Sequence, residues 1–266
     1  MSDEPTPAPP AELRDDGCGP ERALIIVAHP DDIEFGCAGT IARWVDPGCA
    51  VRYVLVTSGD VGIDEPGMTR ERATAIREAE QRAAAAELGV ADLVFLREPD
   101  GTVENTLALR RRLVREVRAF RPEAVLTFDP AALWIADDYV NHPDHRAVGM
   151  AAIDAVFPAS GQPHVFEDLS EEGLAAHKVR MLYAMAFGPE GVNCVVDIGP
   201  SMERKLAALR RHASQFAGWD PEPLVREWAA EAARGTPHAY VERFRRVRLI
   251  RDEEFERRRA AAGEAP

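Results

Sequence analysis

Cysteine is scarce in this chain. Four occur among 266 residues, Cys18, Cys37, Cys49 and Cys194, and no two share a C-x-x-C spacing. That argues against a disulfide framework and predicts a reduced, cytoplasmic protein. Long apolar runs are also missing, so no segment is expected to enter a membrane. The opening Met1-Ser2-Asp3-Glu4-Pro5 lacks the apolar stretch of a secretory signal, and none is expected. Positive charge is in deficit: 32 basic residues against 45 acidic ones leave a net charge of −13. Binding nucleic acid by neutralising its phosphates is therefore disfavoured. The local clusters Arg110-Arg111-Arg112 and Arg257-Arg258-Arg259 lie in helix-like segments and read as solvated faces. Gly36 and Gly39 do not complete a G-x-G-x-x-G pattern, which disfavours a dinucleotide site.

What is present is a core. Apolar residues make up 46% of the chain, enough for one large α/β domain without disulfides. Residues 1–20 are rich in Pro, Ala, Asp and Glu and predict a disordered N-terminal arm. Residues 21–250 read as a single domain and 251–266 as a charged tail. Apolar runs at 22–28, 50–57, 92–96 and 123–128 alternate with helical patterns over 36–46, 70–88 and 106–120. Thr69 and Gly89 frame the second of these helices. Continuous apolar strands separated by helices predict a Rossmann-like, doubly wound, mostly parallel sheet with helices on both faces. Residues 129–144 read as a long loop, 144–157 as a helix with Pro143 near its first turn, and 178–187 and 194–198 as further strands. Helices are expected at 201–214 and 221–234, while 236–250 has no clear pattern.

The first strand ends in Ala28-His29-Pro30-Asp31-Asp32-Ile33-Glu34. One imidazole and two adjacent carboxylates in a short loop suit a divalent metal such as zinc. A second constellation, His142-Pro143-Asp144-His145, follows the fourth strand. In a sheet of order 3-2-1-4-5, strands one and four are neighbours at the topological switch point, where ligands bind. The two loops are therefore expected to face each other. His29, Asp32 and His145 supply two imidazoles and a carboxylate, three ligands that leave a position open for chemistry. That set suits Fe2+ as well as zinc. Asp31 remains as proton acceptor, His142 as the residue that donates to or stabilises the oxyanion, and Asp144 as a partner orienting a histidine or complementing the helix dipole. Glu34 reads as a helix cap, and His212 as structural.

These residues, with Gly36 and Gly39, resemble the PIG-L/LmbE-like family of zinc-dependent N-deacetylases. Thr57-Ser58-Gly59-Asp60, Arg77-x-x-Glu80, Asp100-Gly101 and His212-Ala213-Ser214-Gln215 add weaker similarity, and the resemblance spans roughly residues 22–217. It implies a Rossmann-like fold, zinc on His29, Asp32 and His145, Asp31 as general base, and His142 facing the tetrahedral intermediate. Some members carry an oxyanion-holding tyrosine two residues before the histidine that matches His142. Here Val140 stands there and Tyr139 precedes it.

The expected reaction is removal of an N-acetyl group from an amino-sugar conjugate, with protonated His142 holding the oxyanion. Asp60, Arg77 and Asp129 are candidate contacts for substrate hydroxyls by loop position. Two other readings stand beside it: an amidase acting on a thiol conjugate or natural-product intermediate, and a non-catalytic sugar-binding member. The expected partner is a small molecule; self-association is left open.

Overall fold

The computed structural model describes residues 19–188, 190–216 and 218–262. The arm expected over 1–20 lies, up to residue 18, outside the described residues. The first half follows the predicted alternation: β1 (Arg22–Val27), α1 (Asp32–Gly36), α2 (Ala38–Val45), β2 (Ala50–Leu55), α3 (Arg70–Glu87), β3 (Asp92–Phe95), α4 (Leu107–Phe120) and β4 (Ala124–Phe128). Thr69 caps α3 by accepting from the Arg72 amide, and Thr106 caps α4 by accepting from Leu109. Each cap satisfies a backbone donor that the first helical turn leaves unpaired.

β5 (Trp134–Ala136) and β6 (Tyr139–Val140) form a small hairpin within the expected loop. They are followed by α5 (Pro143–Val156), α6 (Glu167–Glu171), β7 (Met181–Met185), β8 (Cys194–Asp197), α7 (Met202–Leu209), α8 (Glu222–Ala232), β9 (Val241–Arg248) and α9 (Asp252–Ala262). The region expected as a charged tail thus contains a helix. Among the described residues, no helix is long and apolar enough to cross a membrane.

Seven strands form one sheet in the order β3-β2-β1-β4-β7-β9-β8. β3, β2, β1, β4 and β7 pair in parallel, and β9 runs antiparallel to both its neighbours. Helices α4 and α5 pack together on one side, while α7 packs with α2 and α3. Both faces are therefore covered, which is why residues 23–27 of β1 are fully buried. Each such Leu, Ile or Val contributes about 1.5–3 kcal/mol by leaving water.

Two departures from the expected elements have physical causes. The helix predicted from Gly36 starts earlier and breaks at Cys37, giving α1 and α2. A Cβ on Gly36 would lie 2.4 Å from the Met185 sulfur, and one on Gly39 would lie 2.6 Å from Ile198 Cγ2. These glycines allow close approach of the chain to the second half of the sheet. The unpatterned stretch 236–250 contains β9, where Glu242, Arg243, Arg245, Arg246 and Arg248 interrupt the apolar signal.

Glu242 explains how so charged a strand enters the core. Its carboxylate accepts from the amides of Gly39 and Thr40 at 3.0 and 2.8 Å, from the Thr40 hydroxyl at 2.6 Å, and from Lys205 Nζ at 2.7 Å. This joins β9, the start of α2 and α7. Glu242 is 6% exposed and Lys205 2%. Replacing Glu242 with Ala leaves Lys205 as a buried unpaired charge, so the expected loss of stability in urea unfolding is about 3–5 kcal/mol. Glu242→Gln should lose less, since it still accepts. Equal stability of Glu242→Ala and the unsubstituted chain would show that the pair does not hold this corner.

Candidate metal centre and active site

The parallel ladder places Ala23, Leu24 and Ile25 of β1 beside Ala124, Val125 and Leu126 of β4. Both strands therefore open their carboxyl ends onto the same rim. After β1 the chain turns sharply: Asp31 adopts a left-handed backbone, φ 93° and ψ −23°, and α1 begins at Asp32. Asp tolerates this region better than most residues, at a cost of about 1–3 kcal/mol. The Asp32 carboxylate folds back to accept from the His29 amide at 2.6 Å. On the β4 side, His142 is the N-cap of α5, with Nδ1 accepting from the Asp144 amide at 3.2 Å. His145 lies in the first turn of α5, its ring stacked on Phe128 at 4.2 Å between centroids.

The two loops meet. His145 Nε2 is 3.0 Å from Asp32 Oδ1 and 3.3 Å from His29 Nδ1, and His29 Nδ1 is 3.5 Å from Asp32 Oδ2. Ligand atoms at the usual bond length from a tetrahedral zinc ion lie about 3.3 Å from one another. His29, Asp32 and His145 are thus at a spacing compatible with ligands of one small cation, through different oxygens of Asp32, and His29, His142 and His145 are also spaced to hold an ion. His142 stands beside them, its ring centroid 4.8 Å from that of His29 and 5.4 Å from that of His145.

The other ring nitrogens face acceptors. His29 Nε2 is 3.1 Å from Asp100 Oδ1 and 3.3 Å from Asp144 Oδ2. His145 Nδ1 is 3.2 Å from Asn141 Oδ1. These acceptors draw the ring protons outward and leave His29 Nδ1 and His145 Nε2 as donors of lone pairs to a shared point. Asp100 and Asp144 are themselves spaced to form a metal group with His29. Their carboxylates, however, already accept amides: Asp144 from Gly101 and Val103 at 2.8 and 3.1 Å, and Asp100 from Val61 at 3.2 Å. That geometry suits them to orienting His29.

Burial opposes charge on His29, but Asp32, Asp100 and Asp144 outweigh it and lift its pKa to about 12. The carboxylates thus favour positive charge at this point. Burial also opposes charge on Asp32, but His145 and His29 hold its carboxyl well below the usual range. Its neighbour goes the other way: desolvation lifts Asp31 to about 6 despite the pull of Arg77. Burial, aided by the nearby His29, pushes His142 down.

The remaining predicted residues are engaged with the protein. Arg77 is buried and donates to Asp31 Oδ2 at 3.2 Å and to the Pro30 carbonyl, so it supports Asp31 from behind. Asp60 accepts from the Asp100 amide at 3.1 Å and pairs with Arg70 at 3.0 Å, bracing the loop that carries Asp100. Asp129 accepts from the Ala131 amide at 2.9 Å, closing the turn after β4. Tyr139 is 53% exposed on the hairpin. Glu34, read as a helix cap, is instead fully buried inside α1, between Gln81 and His212.

Asp100, Asn141 and Gln81 were not anticipated as site residues. Asn141 had a signal: it directly precedes the His142-Pro143-Asp144-His145 motif, just ahead of the N-cap of α5. Asp100 follows β3, whose carboxyl end shares the same rim. Gln81 had no signal beyond its place one turn after Arg77. Partners of metal-binding histidines are typically worth 10–100-fold in affinity. Asp100→Asn and Asn141→Ala should each weaken divalent-metal binding by about that factor, measured by chelator competition on folded protein. Unchanged affinity in both would remove them from the site.

The matches to known proteins agree with this geometry. The family model described as GlcNAc-PI de-N-acetylase matches residues 24–156. The diacetylchitobiose deacetylase of Thermococcus kodakarensis is 34% identical over 231 residues, covering 85% of this chain and 83% of that one. A 1D-myo-inositol 2-acetamido-2-deoxy-alpha-D-glucopyranoside deacetylase of Kineococcus radiotolerans is 28% identical over 255 residues, covering 74% and 69%. Among solved structures, the N,N'-diacetylchitobiose deacetylase of Pyrococcus horikoshii matches with a TM-score of 0.80 at 30% identity, covering 89% of this chain and 87% of that one. The matched segment contains both histidine motifs, and the chain belongs to the GlcNAc-PI de-N-acetylase (PIG-L) family.

Proposed function

We infer that this chain is a metal-dependent hydrolase that removes an N-acetyl group from an amino-sugar conjugate, its activity carried by one α/β domain over residues 21–250. The observation that carries the reading is the convergence of His29 Nδ1, Asp32 and His145 Nε2 at 3.0–3.5 Å. Relatives named as deacetylases of diacetylchitobiose and of an inositol-linked acetamido sugar support the substrate class. The free, buried thiols of Cys37, Cys49 and Cys194 suit a reducing, cytoplasmic setting.

His29, Asp32 and His145 would hold the ion, which this ligand set suits to zinc, with Fe2+ as the other candidate. When bound, such an ion supplies Lewis-acid polarisation of the acyl oxygen and a water of lowered pKa. Asp31 takes the proton of the attacking water. Arg77 engages its Oδ2, which leaves Oδ1 for that contact. A carboxyl lifted to about 6 is well matched to proton transfer near neutrality.

His142 donates from Nε2 toward the charge developing on the acyl oxygen. We read His142 as neutral where the protonated form was expected; the Asp144 amide proton facing Nδ1 supports that reading. A neutral His142 has one ring proton, committed to the oxyanion. The proton held by Asp31 therefore goes to the leaving amine, and the carbon–nitrogen bond breaks to give acetate and a free amine.

Acetate and amine release over N-acetylglucosamine glycosides of varied aglycone tests the substrate class. Turnover confined to N-acylated thiol conjugates or other non-sugar amides would replace it. Asp32→Ala should lose both metal and turnover. Asp31→Asn should keep the metal and lose roughly 10²–10⁴-fold in kcat. His142→Ala should lose about 10–10³-fold in kcat with metal content unchanged. Activity of Asp31→Asn at the level of the unsubstituted enzyme would sink the base assignment, and metal loss in His142→Ala would make that residue a ligand.

A further inference from the structure

Several buried groups around Asp31 take no part in the chemistry above. Asp31 holds a left-handed backbone, a region that non-glycine residues seldom occupy. Its amide donates to Gln81 Oε1 at 3.0 Å. Gln81 Nε2 donates to Glu34 Oε1 at 3.0 Å, and Glu34 Oε2 lies 3.1 Å from His212 Nε2. Gln81, Glu34 and His212 are all fully buried.

The direction of this chain is set by chemistry. A carboxylate only accepts, so Glu34 holds the NH2 group of Gln81 toward itself. The Gln81 carbonyl must then point at Asp31. Were the amide free to flip, its NH2 would face the Asp31 N–H, donor against donor. His212 anchors the far end by holding Glu34.

The same corner collects two sequence stretches that the reaction leaves unexplained. Arg77 and Gln81 lie one turn apart on α3 and grip the Asp31 turn together: Arg77 holds the Pro30 carbonyl and the Asp31 carboxylate, Gln81 the Asp31 amide. Glu80 accepts from both the amide and the hydroxyl of Ser214 at 2.7 Å, which fixes the turn carrying His212. Gln215 Nε2 donates to the Gly62 carbonyl at 3.2 Å. Apolar residues of equal volume would fill this space with less desolvation, but they would not accept the Asp31 amide proton.

We propose that His212, Glu34 and Gln81 form a positioning chain that holds the Asp31 turn in its left-handed form and so aims the carboxylate. The proposal rests on the reading of Asp31 as the base. Misaiming a reacting group by about an ångström costs on the order of 10²-fold in rate. Gln81→Ala should therefore lower kcat for acetate release about 10–100-fold, with KM and zinc stoichiometry unchanged. In the Asp31→Asn background the same substitution should cost less than about twofold, because no base remains to be aimed. Equal losses in the two backgrounds, or loss of zinc, overturn the proposal. Gln81→Leu, which keeps the volume, replaces Gln81→Ala if that variant does not fold.

His212→Gln retains a donor for Glu34 and should recover most of the kcat that His212→Ala loses; identical behaviour of the two removes His212 from the chain. A crystal structure of the Gln81 variant reads the turn without any assay. Residue 31 should leave the left-handed region or its turn should lose order, and an unchanged turn overturns the proposal. If no acyl-amine is hydrolysed by the unsubstituted protein, the deacetylase reading fails and this structural arm alone decides the positioning chain.

Discussion

Everything at the site depends on the parallel pairing of β1 with β4. That pairing joins strands separated by roughly a hundred residues of chain and sets their ends at one level of the rim. Strands buried on both faces hold such a register firmly, because a slip would move every side chain to the wrong environment. The His29 turn and the start of α5 then have no choice but to face each other. His145 gains its orientation from the same strand, since its ring lies flat on Phe128 at the end of β4.

The electrostatics follow from how densely the acidic groups are set. Asp32, Asp100 and Asp144 surround one imidazole, and their charges favour a positive group there, lifting the pKa of His29 against its burial. Two adjacent aspartates are driven apart by their surroundings. Asp32 sits against two histidines and stays ionised, whereas Asp31 sits in a desolvated turn with one arginine behind it. Neighbouring carboxyls pushed in opposite directions are a recurring basis for dividing holding and proton transfer between two like residues. The left-handed backbone at Asp31 separates their directions, sending one side chain toward His145 and the other toward Arg77.

Much of this was legible in one dimension. The parallel strands read as apolar runs, Thr69 marked the start of α3, and Pro143 marked the first turn of α5. β9 was illegible because its burial depends on Glu242 finding Lys205 and two amides, none of them near it in the chain. The break between α1 and α2 falls at Cys37, between glycines that let Met185 and Ile198 approach from the other half of the fold, and nothing local announced those contacts. Asp60 and Arg77 read only as candidate contacts for substrate hydroxyls. A loop or helix position says that a charge is near the rim, and only the fold shows that it is already paired.

The sequence by itself determined the kind of chemistry: imidazoles and carboxylates concentrated in two short motifs, each at the end of an apolar strand or the start of a helix. It also determined the parallel half of the sheet that brings them together, because apolar periodicity and crossover handedness are local and general. Only the tertiary structure decided which nitrogen of each histidine faces the centre, that His142 uses Nδ1 as an acceptor, and that Gln81, Glu34 and His212 lie behind Asp31. Those are properties of hydrogen-bond partners, and a partner is chosen by distance and direction in the folded chain, which residue type and spacing do not encode.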